Sequence, residues 1–168
     1  NGVAVCVEES PLAPTEVYAE SKAEAEQLFY DKLDKHSILR LATFYGPNMR
    51  TSLATSIFIE ALKNDEQISI HGTGLQTRCY THVEDIASGI IAVMDSNKNG
   101  IYNISSDEEM NVIDLIELIA VLMGKTANTV HVEDRFGQIN KSKISSEKLQ
   151  RLGWKPKYDL KSGLKTCI

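Results

Sequence analysis

The sequence of 168 residues is long enough for one domain with its own hydrophobic core. Its hydrophobic content of 42% and charged content of 24% are ordinary for a globular protein. The net charge of −5 and the scattered lysines and arginines exclude a nucleic-acid or anionic-membrane partner, and no apolar run approaches the roughly 20 residues of a transmembrane helix.

The cysteines and histidines predict neither a disulfide framework nor a metal site. Cys6, Cys79 and Cys167 are far apart and lie outside any Cys-x-x-Cys spacing. This arrangement favours reduced thiols and a cytoplasmic location. No two of the four histidines stand four residues apart on a predicted helix, so we expect no metal ion.

The first half of the chain predicts two helices and three short strands, because its apolar residues recur at helical spacing in some segments and form short bounded runs in others. In chain order these are a helix over Val17–Lys35, a strand over Ser37–Ala42, a helix from Leu53 to Leu62 capped by Thr51 or Ser52, and strands over Gln67–His71 and Gln76–His82.

The second half continues this alternation. The predicted elements are a helix with Asp85 as its N-cap, a strand over Ile101–Ser105, a helix to Met123 with Asn111 as its N-cap, a strand over Thr129–Val132, and a last helix capped by Ser145 that ends at Gly153. Strands that alternate with helices predict an α/β layered domain.

Tyr18 and Lys22 form the sharpest chemical pattern, since residues four apart on a helix share one face. A phenol with an ordinary pKa of about 10 is a poor acid or base at neutral pH. An ammonium about 4 Å away, at an effective dielectric near 20, favours the phenolate by roughly 4 kcal/mol. The pair therefore predicts a tyrosine pKa lowered toward neutrality, although the same spacing also occurs on surface helices with an extended lysine.

Six further segments lie before and after this pair along the chain. They are Pro11-Leu-Ala-Pro14 before the helix, Arg40-Leu-Ala-Thr-Phe-Tyr-Gly-Pro47, Gly72-Thr-Gly-Leu-Gln-Thr-Arg78 with His82-Val-Glu-Asp85, and Arg135-Phe-Gly137 with Leu152-Gly-Trp-Lys-Pro156. Together with Tyr18-Ala-Glu-Ser-Lys22 they span nearly the whole chain. The chain resembles the extended short-chain dehydrogenases/reductases, and within them the NAD-dependent sugar-nucleotide epimerases and dehydratases.

The resemblance implies a fold and a mechanism. The fold would be the C-terminal part of a Rossmann-type parallel sheet, in residues 1–50, plus a smaller α/β region that mainly binds substrate, in residues 51–168. Tyr18 would be the general acid/base, and Lys22 would bind the nicotinamide ribose of NAD, or of NADP. A hydride would pass between the cofactor and a nucleotide-linked sugar through a transient keto-sugar, and the full-length protein would be a homodimer.

Three further residues are candidate substrate contacts. Arg78 matches the family's diphosphate-binding arginine, although a strand arginine paired with a carboxylate remains the alternative. Arg135 is a second diphosphate candidate, against the alternative of a solvated loop arginine. Thr43 stands where the family often has Asn facing the substrate, which leaves a shorter donor and acceptor there.

Two parts of the family's machinery are not found. The Gly-rich βαβ unit would precede Asn1, because Gly72-x-Gly74 is followed by a predicted strand and has Thr77 in place of a third glycine. The family's Ser or Thr before the tyrosine helix is also absent. We therefore expect this chain to be a fragment, inactive by itself.

Two other functions remain open on the residues alone. A reductase of the same superfamily, acting on a keto-sugar or another carbonyl, would use the same Tyr18 and Lys22. A non-catalytic dinucleotide sensor would need neither. The sequence does not separate epimerase from dehydratase.

Overall fold

Strands and helices alternate through the residues that the computed structural model describes, 5–134 and 141–168. The strands are β1 (Val5–Cys6), β2 (Ser37–Leu41), β3 (Thr43–Tyr45), β4 (Ile68–His71), β5 (Thr77–His82), β6 (Gly100–Ile104), β7 (Glu109–Asn111), β8 (Thr129–Val132) and β9 (Lys143–Ile144). The helices are α1 (Val17–Lys32), α2 (Ala54–Lys63), α3 (Val83–Ser96), α4 (Val112–Met123), α5 (Glu147–Gln150) and α6 (Leu160–Leu164).

Most strand pairs are parallel. β2 runs beside β6, with Ser37 opposite Gly100 and Leu41 opposite Ile104. β3 pairs in parallel with β5, which pairs antiparallel with β7 on its other side. β4 with β8 and β1 with β9 are also parallel. Parallel strands joined through helices confirm the predicted α/β class.

Two groups of buried apolar side chains hold these layers together. The larger packs α2 and α4 against β4 and includes Leu62, Ile116 and Ile119. The smaller lies between α3, β6 and α5 and includes Ile104 and Trp154. α1 contributes no buried residue to either group, and most of its residues are exposed.

α1 begins at the predicted residue and ends three residues early, at Lys32. The Leu33 amide still donates to the Phe29 carbonyl, but Leu33 itself is extended, with φ −125° and ψ 123°. The His36 ring lies 2.7 Å from the Leu33 carbonyl, as Nδ1 to oxygen. The last residues of the predicted helix therefore form the link that turns the chain into β2.

Two predicted N-caps are wrong. α2 starts at Ala54 without a side-chain cap, because Thr51 and Ser52 belong to a turn in which the Leu53 amide donates to the Arg50 carbonyl. α3 is capped by His82, whose Nδ1 accepts from the Glu84 amide, and not by Asp85.

Near the C-terminus the structure has two short helices where one was predicted. α5 follows Ser146, one residue after the expected Ser145, and ends at Gln150 rather than at Gly153. The Ser146 hydroxyl donates to the Ser105 carbonyl instead of capping the helix. α6 was not predicted, and its N-cap is Asp159, which accepts from the Ser162 amide at 2.6 Å.

Candidate active site

Tyr18 and Lys22 lie on an exposed face in the first turns of α1. The Tyr18 side chain is 72% exposed. The Lys22 ammonium lies 5.4 Å from the centroid of the Tyr18 ring, one helical turn further along. The predicted pairing on one face is therefore present, with the cation over the aromatic ring.

Three open clefts adjoin Tyr18. The first, of about 680 Å³, runs along β3 and the turn after it. The second, of about 650 Å³, lies over β2, and the third, of about 390 Å³, lies beside the segment Leu12–Pro14. Lys22 lines the second and third clefts. The Tyr18 side chain thus borders open clefts on several sides.

The first cleft brings Thr43 and Tyr18 together, as two of its lining residues. Thr43 begins β3 and lies opposite Tyr80 of β5 in the parallel register. Its side chain is exposed and available to a ligand. Of the predicted substrate contacts that the structure describes, Thr43 is the one that shares a cleft with Tyr18.

A tight turn after β3 also lines this cleft. The Met49 amide donates to the Gly46 carbonyl at 3.3 Å, and Asn48 has a left-handed φ of 60°. A Cβ on Gly46 would lie 2.3 Å from the Cγ1 atom of Val83, so no larger residue fits without movement. Close packing against α3 therefore fixes where the turn lies.

Arg78 does not line the Tyr18 clefts described above. It is half-buried in β5, opposite Met110 of β7, and its Nη1 donates to the Thr77 carbonyl at 2.7 Å. It precedes Tyr80 by two residues on the same strand, so the two side chains share one face of the sheet. Arg135, the second predicted diphosphate ligand, lies outside the described residues.

An arginine–glutamate pair that was not predicted forms the wall between the second and third clefts. Arg40 of β2 donates from Nε and Nη2 to the two carboxylate oxygens of Glu26 on α1, and from Nη1 to the Glu8 carbonyl. Glu8 in turn accepts from the Asn103 amide. A charged residue inside an otherwise apolar strand was the sequence signal for this contact.

The floor of the first cleft rests on aromatic rings. Tyr45 lines the cleft and packs edge-to-face on His82, with ring centroids 5.5 Å apart. His82 contacts Tyr158 on its other side at 4.0 Å, and its Nε2 lies 3.1 Å from the Thr166 hydroxyl. Burial lowers the pKa of His82 and raises the pKa of Tyr45, so both side chains are neutral at pH 7.

Asp85 holds the C-terminal segment against the aromatic residues below this cleft. Its carboxylate accepts from the Lys157 amide at 2.7 Å and from the Tyr158 amide at 3.1 Å. The predicted N-cap role is wrong because these two distant amides occupy the carboxylate. Asp85 is buried and holds the segment that carries Tyr158.

Neither a metal site nor a membrane span is found in residues 5–134 and 141–168. No group of three or more His, Cys, Asp or Glu side chains is placed to hold a metal ion there. No helix in these ranges combines the length and the apolar content needed to cross a membrane.

Residues 5–105 match the family described as the NAD dependent epimerase/dehydratase family. The chain is 35% identical over 173 residues to dTDP-D-glucose 4,6-dehydratase of Bos taurus, covering 96% of this chain and 49% of that protein. The chain thus spans about half the length of the curated relatives it matches.

Solved structures superpose on this chain over nearly its whole length. The dTDP-glucose 4,6-dehydratase of Bacillus anthracis, in complex with NAD, superposes with a TM-score of 0.91 at 27% identity, over 98% of this chain and 55% of that one. The UDP-glucuronic acid 4-epimerase of Bacillus cereus, in complex with UDP-glucuronic acid and NAD, gives 0.92 at 25% identity, over 98% and 55%. The predicted Rossmann-type fold is confirmed by these neighbours.

Proposed function

This chain belongs to the NAD-dependent epimerase/dehydratase family, and we propose that it is the substrate-side half of an enzyme that acts on a nucleotide-linked sugar. The reaction is an epimerisation or dehydration through a transient keto-sugar. The other half carries the dinucleotide-binding unit, which the greater length of the relatives accommodates. Residues 1–50 complete the Rossmann part and residues 51–168 mainly bind the substrate.

The residues around Tyr18 fit the nicotinamide-ribose end of NAD. A phenol and an ammonium share one exposed face beside open clefts, which suits ribose hydroxyls and a reacting carbon. Gly72-Thr-Gly74 leads into β5 rather than into a helix, so this turn does not bind the diphosphate of NAD. When bound, NAD supplies the acceptor and donor of the hydride.

Tyr18 moves the proton in this scheme. As a phenolate, its oxygen accepts the proton of a sugar hydroxyl while the carbon is oxidised, and the resulting phenol returns that proton when the keto-sugar is reduced. The Lys22 ammonium lies over the Tyr18 ring and binds the ribose hydroxyls. Thr43, across the cleft, orients the sugar by hydrogen bonding.

Arg78 and Arg135 bind the phosphates of the substrate. A guanidinium fork matches two phosphate oxygens, and the two charges attract. β5 carries Arg78 and pairs with β3, which carries Thr43, so one sheet presents both contacts. This arrangement supports a substrate that extends from β3 toward β5.

The observation that carries the proposal is the exposed Tyr18–Lys22 pair beside the Thr43 cleft, within a family-matched segment. The test is turnover by the full-length protein, meaning this chain together with the dinucleotide-binding half. UDP-glucose, dTDP-glucose and UDP-glucuronate are incubated with the protein and NAD, and the products are identified by NMR. A new sugar stereochemistry or a keto-deoxy sugar supports the proposal.

Other outcomes of this test point elsewhere. Binding of NAD without conversion of any nucleotide sugar would contradict the proposal and favour a sensor. Reduction of a simple carbonyl compound without nucleotide-sugar binding would favour a reductase. The 168-residue chain by itself is expected to be inactive in the same assay.

The full-length protein is proposed to be a cytoplasmic homodimer that pairs through α1. Leu28 and Phe29 on this helix and Leu33 directly after it are exposed, at 57%, 52% and 44%. The small residues Ala19 and Ala23 allow a second helix to approach closely. A twofold contact uses the same patch on both subunits. Light scattering at micromolar concentration is expected to give twice the subunit mass, and a monomer mass would contradict the pairing.

A further inference from the structure

Gly163 lies in α6, directly beneath the first cleft, which Tyr18 and Thr43 line. It is buried, and its backbone lies against the hydroxyl group of Tyr45 in the floor of that cleft. A Cβ on Gly163 would overlap the Tyr45 hydroxyl oxygen and would lie 2.9 Å from the ring carbon that bears it. Only a residue without a side chain therefore fits at this position while Tyr45 stays where it is.

The backbone conformation of Gly163 does not itself require glycine. The residue lies within a helix and is not among the glycines with a left-handed φ. Alanine is more favourable than glycine in the interior of a helix. The contact with Tyr45 therefore explains the glycine, and the backbone does not.

Contacts of its own hold α6 in place. The side chains of Leu160 and Leu164 are buried in the larger group of apolar side chains. The Leu160 amide also donates to the Glu108 carboxylate at 2.6 Å. A side chain added at Gly163 would therefore push Tyr45 rather than move the helix.

A shift of Tyr45 would reach the substrate cleft through β3. Tyr45 is buried and is the last residue of this strand, which Thr43 begins. The His82 ring packs edge-to-face on Tyr45, with centroids 5.5 Å apart, and the next residue, Gly46, has no free space beside Val83. Because the Tyr45 ring has close neighbours on these sides, its displacement would displace β3 and with it Thr43.

We infer that Gly163 is a positioning residue of the substrate site. Because it has no side chain, α6 sets the position of Tyr45 and, through β3, the position of Thr43. This inference rests on the proposed function, in which Thr43 orients the sugar, and adds α6 as a determinant of nucleotide-sugar binding. Gly163 itself does not line the described clefts beside Tyr18, so it acts only through Tyr45.

The test is calorimetric binding to the full-length protein, with the three nucleotide sugars of the turnover assay and with NAD. Gly163→Ala is expected to weaken nucleotide-sugar binding at least about tenfold, because an overpacked side chain moves its neighbours. NAD binding is expected to stay almost unchanged, because the nicotinamide ribose is assigned to Lys22, which does not line the first cleft.

Tyr45→Phe provides the rescue. Phenylalanine lacks the oxygen that overlaps the new Cβ, and a small movement of its ring relieves the remaining contact at 2.9 Å. The double variant is compared with Tyr45→Phe alone, so that any contribution of the hydroxyl itself cancels. In this background Gly163→Ala is expected to weaken nucleotide-sugar binding less than about threefold.

Lys161→Ala is the matched control, since it places alanine at an exposed position of the same helix. It is expected to bind all ligands like the wild type. Urea denaturation shows whether each variant is folded. If Gly163→Ala does not fold, Thr166→Val removes the hydroxyl that lies 3.1 Å from the His82 ring without adding volume to α6. It is expected to weaken nucleotide-sugar binding about threefold and to leave NAD binding unchanged.

The possible outcomes separate this inference from the proposed function. Unchanged nucleotide-sugar binding in folded Gly163→Ala, a loss that Tyr45→Phe does not relieve, or equal weakening of nucleotide-sugar and NAD binding would each overturn the inference alone. If only Thr166→Val folds, wild-type nucleotide-sugar binding in that variant would overturn it. A wild-type protein that binds none of the three nucleotide sugars would contradict the proposed function itself.

Discussion

Arg40 donates hydrogen bonds from Nε and Nη2 to the two carboxylate oxygens of Glu26, and this pair joins β2 to α1. Tyr18, Lys22 and Glu26 are spaced four residues apart, so they form one face of α1. Both partners are largely shielded, with side-chain exposures of 23% and 15%. Because α1 has no buried residue, this contact with β2 helps to hold the helix that carries Tyr18 in place.

Arg40→Lys should therefore destabilise the chain although it preserves the charge. Lysine cannot reproduce the fork to Glu26 and the bond to the Glu8 carbonyl together. We expect the free energy of unfolding, measured by urea denaturation, to fall by about 1–3 kcal/mol. Lys63→Gln breaks the exposed pair with Glu60 and should change it by less than about 0.5 kcal/mol. Equal effects would contradict a special role for Arg40.

Arg78→Lys tests the phosphate contact. Lysine keeps the positive charge and loses the bidentate geometry, so nucleotide-sugar affinity of the full-length protein should fall. NAD affinity should stay almost unchanged, because Arg78 is not among the residues that line the Tyr18 clefts. Calorimetric titration of each ligand measures both values. Unchanged nucleotide-sugar affinity would indicate a structural arginine.

Because His82 is buried, we expect the free energy of unfolding to depend on pH. Burial holds the pKa of its imidazole below the ordinary value of about 6.5. As the pH falls below that value, the unfolded chain binds a proton that the folded chain does not bind. The free energy of unfolding should therefore decrease as the pH is lowered from about 7.5 to about 5.5.

His82→Asn isolates this effect. Asparagine retains an acceptor for the Glu84 amide at the N-cap and removes the titrating ring. Urea denaturation at several pH values should show a shallower acid-side slope than in the wild type. His131→Gln, which removes an exposed ring, is the control. An identical slope in His82→Asn would rule out His82 as the source.

Local signals explain which parts of the fold could be predicted. Asn111 caps α4 as predicted, because its side chain accepts from the Asp114 amide three residues away. The cap of α3 could not be predicted in the same way. Asp85 is the better capping residue type, but it is occupied by amides more than 70 residues further along the chain.

The candidate site likewise combines residues that the local sequence predicts with residues that only tertiary packing brings together. The spacing of Tyr18 and Lys22 is a property of one helix, so it could be predicted from the sequence. Thr43 was predicted through its place in a motif. The contact between Glu26 and Arg40 was not, because an ion pair between a helix and a strand depends on tertiary packing. β3 was also missed, since three residues become a strand only by pairing with β5.

The central claim is that Tyr18 transfers the proton in a nucleotide-sugar reaction. The most direct test is the kcat of full-length Tyr18→Phe, with Tyr30→Phe, which changes an exposed tyrosine of the same helix, as the control. Phenylalanine keeps the ring beneath the Lys22 ammonium and removes only the oxygen. We predict that kcat falls at least about 100-fold in Tyr18→Phe, while Tyr30→Phe and the NAD affinity of both variants match the wild type. Wild-type turnover in Tyr18→Phe would contradict the account.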